Sequence, residues 1–88
     1  MKNSKNIENA VALLYKREIH HAPVVISKGS NFLAKRMADI AKKHKVPVVS
    51  DEETANSLMH LDIGEEIPYS LYEAVSIILR HIYKLKAE

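Results

Sequence analysis

The sequence predicts a small α/β domain: a mixed β-sheet of three strands flanked by three helices, with a slot for a fourth strand completed by the N-terminus or a partner. Three observations carry this. Ala10–Tyr15 and Val24–Ser27 are short apolar runs bounded by polar, Pro or Gly residues, the pattern of strands covered on both faces. Val46-Pro47-Val48-Val49 is a third such run, placed after a helical stretch. Strand, helix and strand in that order predict a right-handed parallel crossover.

Length and composition set the bounds. A chain of 88 residues with 47% hydrophobic content makes one domain with one two-layer core. At this size only about 60–65% of the unfolded surface is buried, so a large enclosed active site would compete with the core. There is no cysteine, hence no disulfide and no thiolate metal site, which fits a reducing compartment. Thirteen basic and eleven acidic residues are intermixed for a net charge of +2, so nothing draws the whole molecule to nucleic acid or lipid. No apolar run approaches the roughly 20 residues of a membrane span, and the polar start is no signal peptide.

Taken in order, residues 1–8 read as a flexible lead and 9–88 as the domain. Lys16–His21 is charged enough to be a surface loop between the first two strands. Gly29-Ser30 is expected to end the second strand, and Ser30 or Asn31 to cap the first helix. That helix runs to about His44, with Leu33, Met37, Ile40 and Ala41 on its inner face and lysines at the negative pole of its dipole. Pro47 places the third strand at an edge or an entry position. Ser50-Asp51-Glu52-Glu53 is a capping box opening a short helix to about His60. Leu61–Pro68 is a loop ordered by Ile63 and Ile67. Ser70-Leu71-Tyr72-Glu73 is a second capping box. It opens the longest helix, in which Leu71, Val75, Ile78, Ile82 and Leu85 form one stripe, widened by Tyr72 and Leu79.

Ala10–Tyr15, Ala22–Gly29, His44-Lys45-Val46-Pro47 and Ile63–Val75 stand in the order and near the spacing of one family. The stretch from about Asn9 to about Leu85 resembles the cytoplasmic C-terminal domain of the FlhB/YscU-type (EscU, HrcU) export switch proteins of flagellar and type III secretion systems. The resemblance implies a small mixed sheet with helices around it, as the residues themselves suggest. It also implies a multi-helix membrane domain ahead of this one, which the chain lacks. A start at methionine then reads as a free-standing small protein, or as a piece cut from a longer one.

Cleaving members of that family cut themselves at an Asn-Pro-Thr-His turn, where the asparagine amide attacks its own carbonyl. The matching positions are Lys5, Asn6, Ile7 and Glu8. Lysine cannot form the cyclic intermediate. Shifting the register to use Asn6 puts Ile7 where the proline that shapes the turn should be. No self-cleavage is expected. The family's strand ahead of that turn would need apolar residues that Met1-Lys2-Asn3-Ser4 do not supply. An open edge is therefore expected beside Ala10, Val11, Ala12, Leu13, Leu14 and Tyr15. Either the N-terminal residues cover it or it accepts a partner strand.

The resemblance further implies an apolar pocket that docks export substrates, at positions matching Ala22, Pro23, Ser76 and Leu79. On residues alone, Ala22-Pro23 is a strand entry and Leu79 a core residue. Lys28-Gly29-Ser30 lies where anions can bind, but its order is not that of a P-loop. The five histidines show no paired metal spacing, and no catalytic constellation can be quoted. The expected function is a non-enzymatic, cytoplasmic binding module without cofactor or metal. It would dock export substrates or chaperones at the export gate, or stand in for the cleaved C-terminal domain of a membrane-bound relative. Neither nucleic acid nor membrane insertion is expected, and a monomer is. The alternative is an orphan α/β domain that binds a small anion or nucleic acid through Lys28–Asn31 and the basic first helix.

Overall fold

Two antiparallel strands form the sheet of the computed structural model, which describes residues 8–87 with side chains through Lys84. Strand β1 spans Asn9–Leu14 and β2 spans Val24–Ser30. Their register runs from Asn9 opposite Ser30 to Leu14 opposite Val24, with an irregularity after Ala12 that leaves Ile26 without a partner. A bulge of this kind re-aims the strand beyond it. Helix α1 spans Phe32–Lys43, α2 Glu52–Leu58 and α3 Tyr72–Ala87, the last preceded by a 3₁₀ turn over Tyr69–Leu71.

The predicted third strand does not form, and with it goes the parallel crossover. Among the described residues Val46–Val49 belongs to no sheet, and the sheet has two strands rather than three or four. The backbone that accompanies β2 comes from the loop after α2 instead. Val25 N donates to Glu65 O at 3.0 Å, Gly64 N to Val25 O at 2.7 Å and Ile67 N to Pro23 O at 2.9 Å. Gly64 has φ 94°, a left-handed conformation that glycine adopts without a Cβ penalty. With this edge of β2 occupied from Pro23 to Val25, the valine run has no place beside it.

The core gathers Ala22, Val25, Leu58, Leu61, Ile67 and Val75, with Val11, Leu13, Leu71 and Leu79 packed against it. Ile67 is buried as expected, whereas Ile63 is exposed and does not order its loop. On α1 the inner face is Ala34, Met37, Ala38 and Ala41, while Leu33 and Ile40 are exposed. The small alanines let the helix lie close to the sheet, turning it away from the predicted stripe. Leu33 lies directly over Gly29, where an added Cβ would come within 2.7 Å of its Cγ. Gly29 thus serves close approach inside β2 rather than ending the strand.

The helix ends differ from expectation by a residue or so. Asn31 precedes α1 without a side-chain cap, and Ser30 Oγ donates to Asn9 Oδ1 at 2.7 Å. At the other end Lys45 N donates to Lys42 O and Val46 N to Ala41 O, with Lys45 at φ 60°. This is a Schellman closure with lysine where glycine is usual. Asp51, not Ser50, caps α2: its carboxylate accepts from Thr54 N at 3.2 Å and from Thr54 Oγ1 at 2.9 Å. Ser70 lies inside the 3₁₀ turn and caps nothing. Along α3, Val75 is buried and Leu71, Ile78, Leu79 and Ile82 are half-buried, so the predicted stripe faces inward; the Leu85 side chain lies outside the described residues.

Candidate functional site

Where the loop after β1, the entry to β2 and the start of α3 meet, they leave an open groove of about 740 Å³. Its floor is apolar: Ala22 and Val75 from the core, with Pro23, Ile67 and Leu79 beside them. Pro23 lacks an N–H, so this entry to β2 presents no unpaired donor to the groove. Its carbonyl accepts from Ile67 N, which holds the far wall in place. All four positions expected of a docking pocket, Ala22, Pro23, Ser76 and Leu79, line this one groove. Ser76 looks too polar for such a wall. Its hydroxyl, however, donates to Glu73 O one turn back at 3.0 Å, so its donor is satisfied within α3.

Sequence reasoning missed the rim. Tyr15, Tyr69 and Tyr72 border the groove together with His21, Ser70 and Glu73. The rings of Tyr69 and Tyr72 stand 5.1 Å apart at 59°, a tilted aromatic pair. Tyr69 is 84% exposed, so this pair carries apolar surface into solvent that the core does not require. The Tyr-x-x-Tyr spacing after Pro68 was the available signal, since three residues on a helical turn bring two rings to one side. Tyr72 reads as helix stripe and Tyr15 as strand end, so neither announced itself. Tyr15 lies just beyond β1, where Lys16 N donates to His20 Nδ1 at 3.1 Å and the chain turns back. The groove combines a hydrophobic floor with a rim of hydroxyls, one imidazole and one carboxylate.

The remaining candidates are not brought together. Lys28 Nζ donates to Met59 O at 3.1 Å and to Leu61 O at 2.6 Å, closing the chain after α2. Its ammonium is engaged there, and with Leu33 over Gly29 the anion or nucleic-acid alternative finds no support. Among the described residues no three His, Asp or Glu side chains cluster as a metal site. Likewise, among the described residues β1 pairs with β2 alone. Lys5, Asn6 and Ile7 lie outside the described residues, and the expected flexibility of the lead with them. Glu8 is exposed, and its carbonyl accepts from Asn31 N at 2.7 Å. No helix among the described residues is long and apolar enough to cross a membrane.

Comparison with known proteins adds to this geometry. A family model described as the FlhB HrpN YscU SpaS family matches residues 6–82. The chain is 39% identical over 85 residues to YlqH of Bacillus subtilis, covering 97% of this chain and 91% of that one. It is 37% identical over 78 residues to the flagellar biosynthetic protein FlhB of Salmonella typhimurium, covering 88% of this chain but 20% of that protein. The chain therefore spans about one fifth of the FlhB relatives it matches. Among solved structures, the PscU C-terminal domain superposes with a TM-score of 0.81 at 28% identity, covering 85% of this chain and 96% of that one. An EscU C-terminal domain carrying an N262D mutation gives 0.80 at 28% identity, covering 90% and 83%.

Proposed function

Because the chain belongs to the FlhB HrpN YscU SpaS family across residues 6–82, we propose that it is a non-enzymatic binding module of the flagellar or type III protein export apparatus. It docks export substrates or their chaperones in the groove between β2 and α3. In doing so it stands in for the cleaved C-terminal domain of a membrane-bound relative. The observation that carries the reading is the groove. An apolar floor over Ala22, Pro23 and Leu79 with an exposed tyrosine rim suits a short peptide bearing bulky apolar side chains.

The chain works without cutting itself. The four positions where the family's cleaving members carry Asn-Pro-Thr-His hold Lys5-Asn6-Ile7-Glu8. None of these combines an amide nucleophile with a following proline. The module is accordingly fixed in one state, cytoplasmic and peripheral at the export gate.

Two experiments test this. Purified protein, alone and as Leu79→Asp, is titrated with hook and rod export substrates of its own organism. The reading expects binding by the parent and at least a tenfold loss in the variant with the helical circular dichroism retained. Equal binding by both would exclude the groove. In cells, the gene is deleted alone and together with the cleaved C-terminal part of the longer relative. Unchanged export in both strains would remove the stand-in role.

A further inference from the structure

Between α1 and α2 the chain runs from Val46 to Ser50 without helix, strand, turn or bend. It is apolar yet uncovered: Val46 is 54%, Val48 52% and Val49 36% exposed. Among the described residues, the backbone groups of Val48, Val49 and Ser50 form no hydrogen bond to other backbone. Val48 and Val49, β-branched and unpaired among the described residues, make a strand edge to which another strand can add.

What flanks the segment names the occupant. Lys42, Lys43, His44 and Lys45 precede it, and Asp51, Glu52 and Glu53 follow it. The charges of the whole molecule are evenly mixed, but here they are segregated into a basic end and an acidic end. We infer that Val46–Ser50 is a self-association surface, pairing antiparallel with the same segment of a second copy across a two-fold axis near Val48. A two-fold contact must be self-complementary, and this one is. Antiparallel pairing sets the basic end of each copy against the acidic end of the other, whereas parallel pairing would set like against like. At low salt these rim pairs set the orientation and together add to the affinity, each modestly.

The register is also the one proline permits. With Val48 opposite Val48 of the second copy in a hydrogen-bonded pair, the two exchange both N–H···O bonds. Pro47 then falls opposite Val49 at a non-hydrogen-bonded pair, where its missing N–H is not needed. Ser50 N of each copy reaches Val46 O of the other. Val46 N stays with its own Ala41 O, its partner at 2.8 Å. The contact is small, so the dimer is weak and reversible. The inference is independent of the groove and of any export role.

Sedimentation equilibrium of the whole protein, read up to about 1 mM at low salt, is the first measurement, since that is the weak end of the affinity scale. The mass should approach twice the monomer's with rising concentration and fall back in high salt. Val48→Asp should weaken association at least tenfold while leaving circular dichroism unchanged. The decisive pair is Lys42→Glu with Lys43→Glu in one protein and Glu52→Lys with Glu53→Lys in another. Each alone should stay monomeric, and their mixture should dimerise. A protein monomeric at 1 mM overturns the inference. So does a dimer indifferent to Val48→Asp, or a mixture that fails to associate. Amide shifts at Val46–Ser50 on adding an unrelated apolar strand peptide, without self-association, would assign the segment to a different occupant and refute it as well.

Discussion

Replacing Lys28 by methionine separates two roles that its position allows. The side chain reaches from β2 to the carbonyls of Met59 and Leu61, at 3.1 and 2.6 Å, just past the end of α2. Those carbonyls belong to the stretch where a helix leaves acceptors unpaired and its dipole is negative. A hydrogen bond from a charged donor contributes about 1.5–3 kcal/mol when buried. Lys28 is only half-buried and one ammonium serves both acceptors, so solvent screening brings the pair to about 2 kcal/mol. Methionine keeps the apolar stem and removes the charge. For a domain of this size, about 2 kcal/mol lowers Tm by roughly 8–16 °C. Thermal unfolding followed by circular dichroism reads it directly. A loss below about 4 °C would show that the ammonium is not holding the end of α2. A phosphate titration by amide NMR completes the test. Shifts confined to Lys28–Asn31 that vanish in Lys28→Met, with Tm unchanged, would instead support the anion-binding alternative.

Other substitutions follow from local geometry. Gly29→Val drives a branched side chain into Leu33, already within 2.7 Å of a bare Cβ, and should cost about 1–3 kcal/mol in urea unfolding. Lys45→Gly relieves a residue held at φ 60°. The left-handed penalty of about 1–2 kcal/mol, less glycine's extra chain entropy of about 0.5–1, leaves a net stabilisation of about 0.5–1 kcal/mol, read as a raised Tm. Asp51→Ala removes the α2 cap, worth about 1 kcal/mol, and strands the buried hydroxyl of Thr54 for about 1 more. Asp51→Asn should recover part of that loss, because its amide oxygen still accepts.

How much of this was legible depended on whether the information lay in the segment itself. The hairpin strands and α3 were readable because their apolar runs and period are strong and local. Val46–Val49 was misread for the opposite reason. Its β propensity is real, but a strand exists only where another edge is free to pair with it, and Gly64–Ile67 had already occupied the first half of β2. On α1 the larger Leu33 and Ile40 looked like the core face. Close packing on the sheet instead favoured Ala34, Ala38 and Ala41, a choice set by the distance between elements rather than by hydrophobicity. The groove followed the same division. Ala22, Pro23, Ser76 and Leu79 came from family resemblance, and the structure lines one cavity with them. The Tyr69–Tyr72 spacing hinted at the rim, but its placement beside the groove depends on how a 3₁₀ turn joins α3.

The groove and the valine segment can be perturbed one at a time. The groove is made by the loop after β1, the entry to β2, Ile67–Glu73 and the first turns of α3; the segment joins α1 to α2 and shares no residue with it. Distant, unshared sites usually combine additively, within about 0.3–0.5 kcal/mol. Leu79→Asp should therefore abolish docking without changing sedimentation, and Val48→Asp should do the reverse. Combined, they should show both losses and no more. Were Val48→Asp alone to weaken substrate binding, docking would require the dimer, and the surface bound by substrate would be built from two copies rather than one.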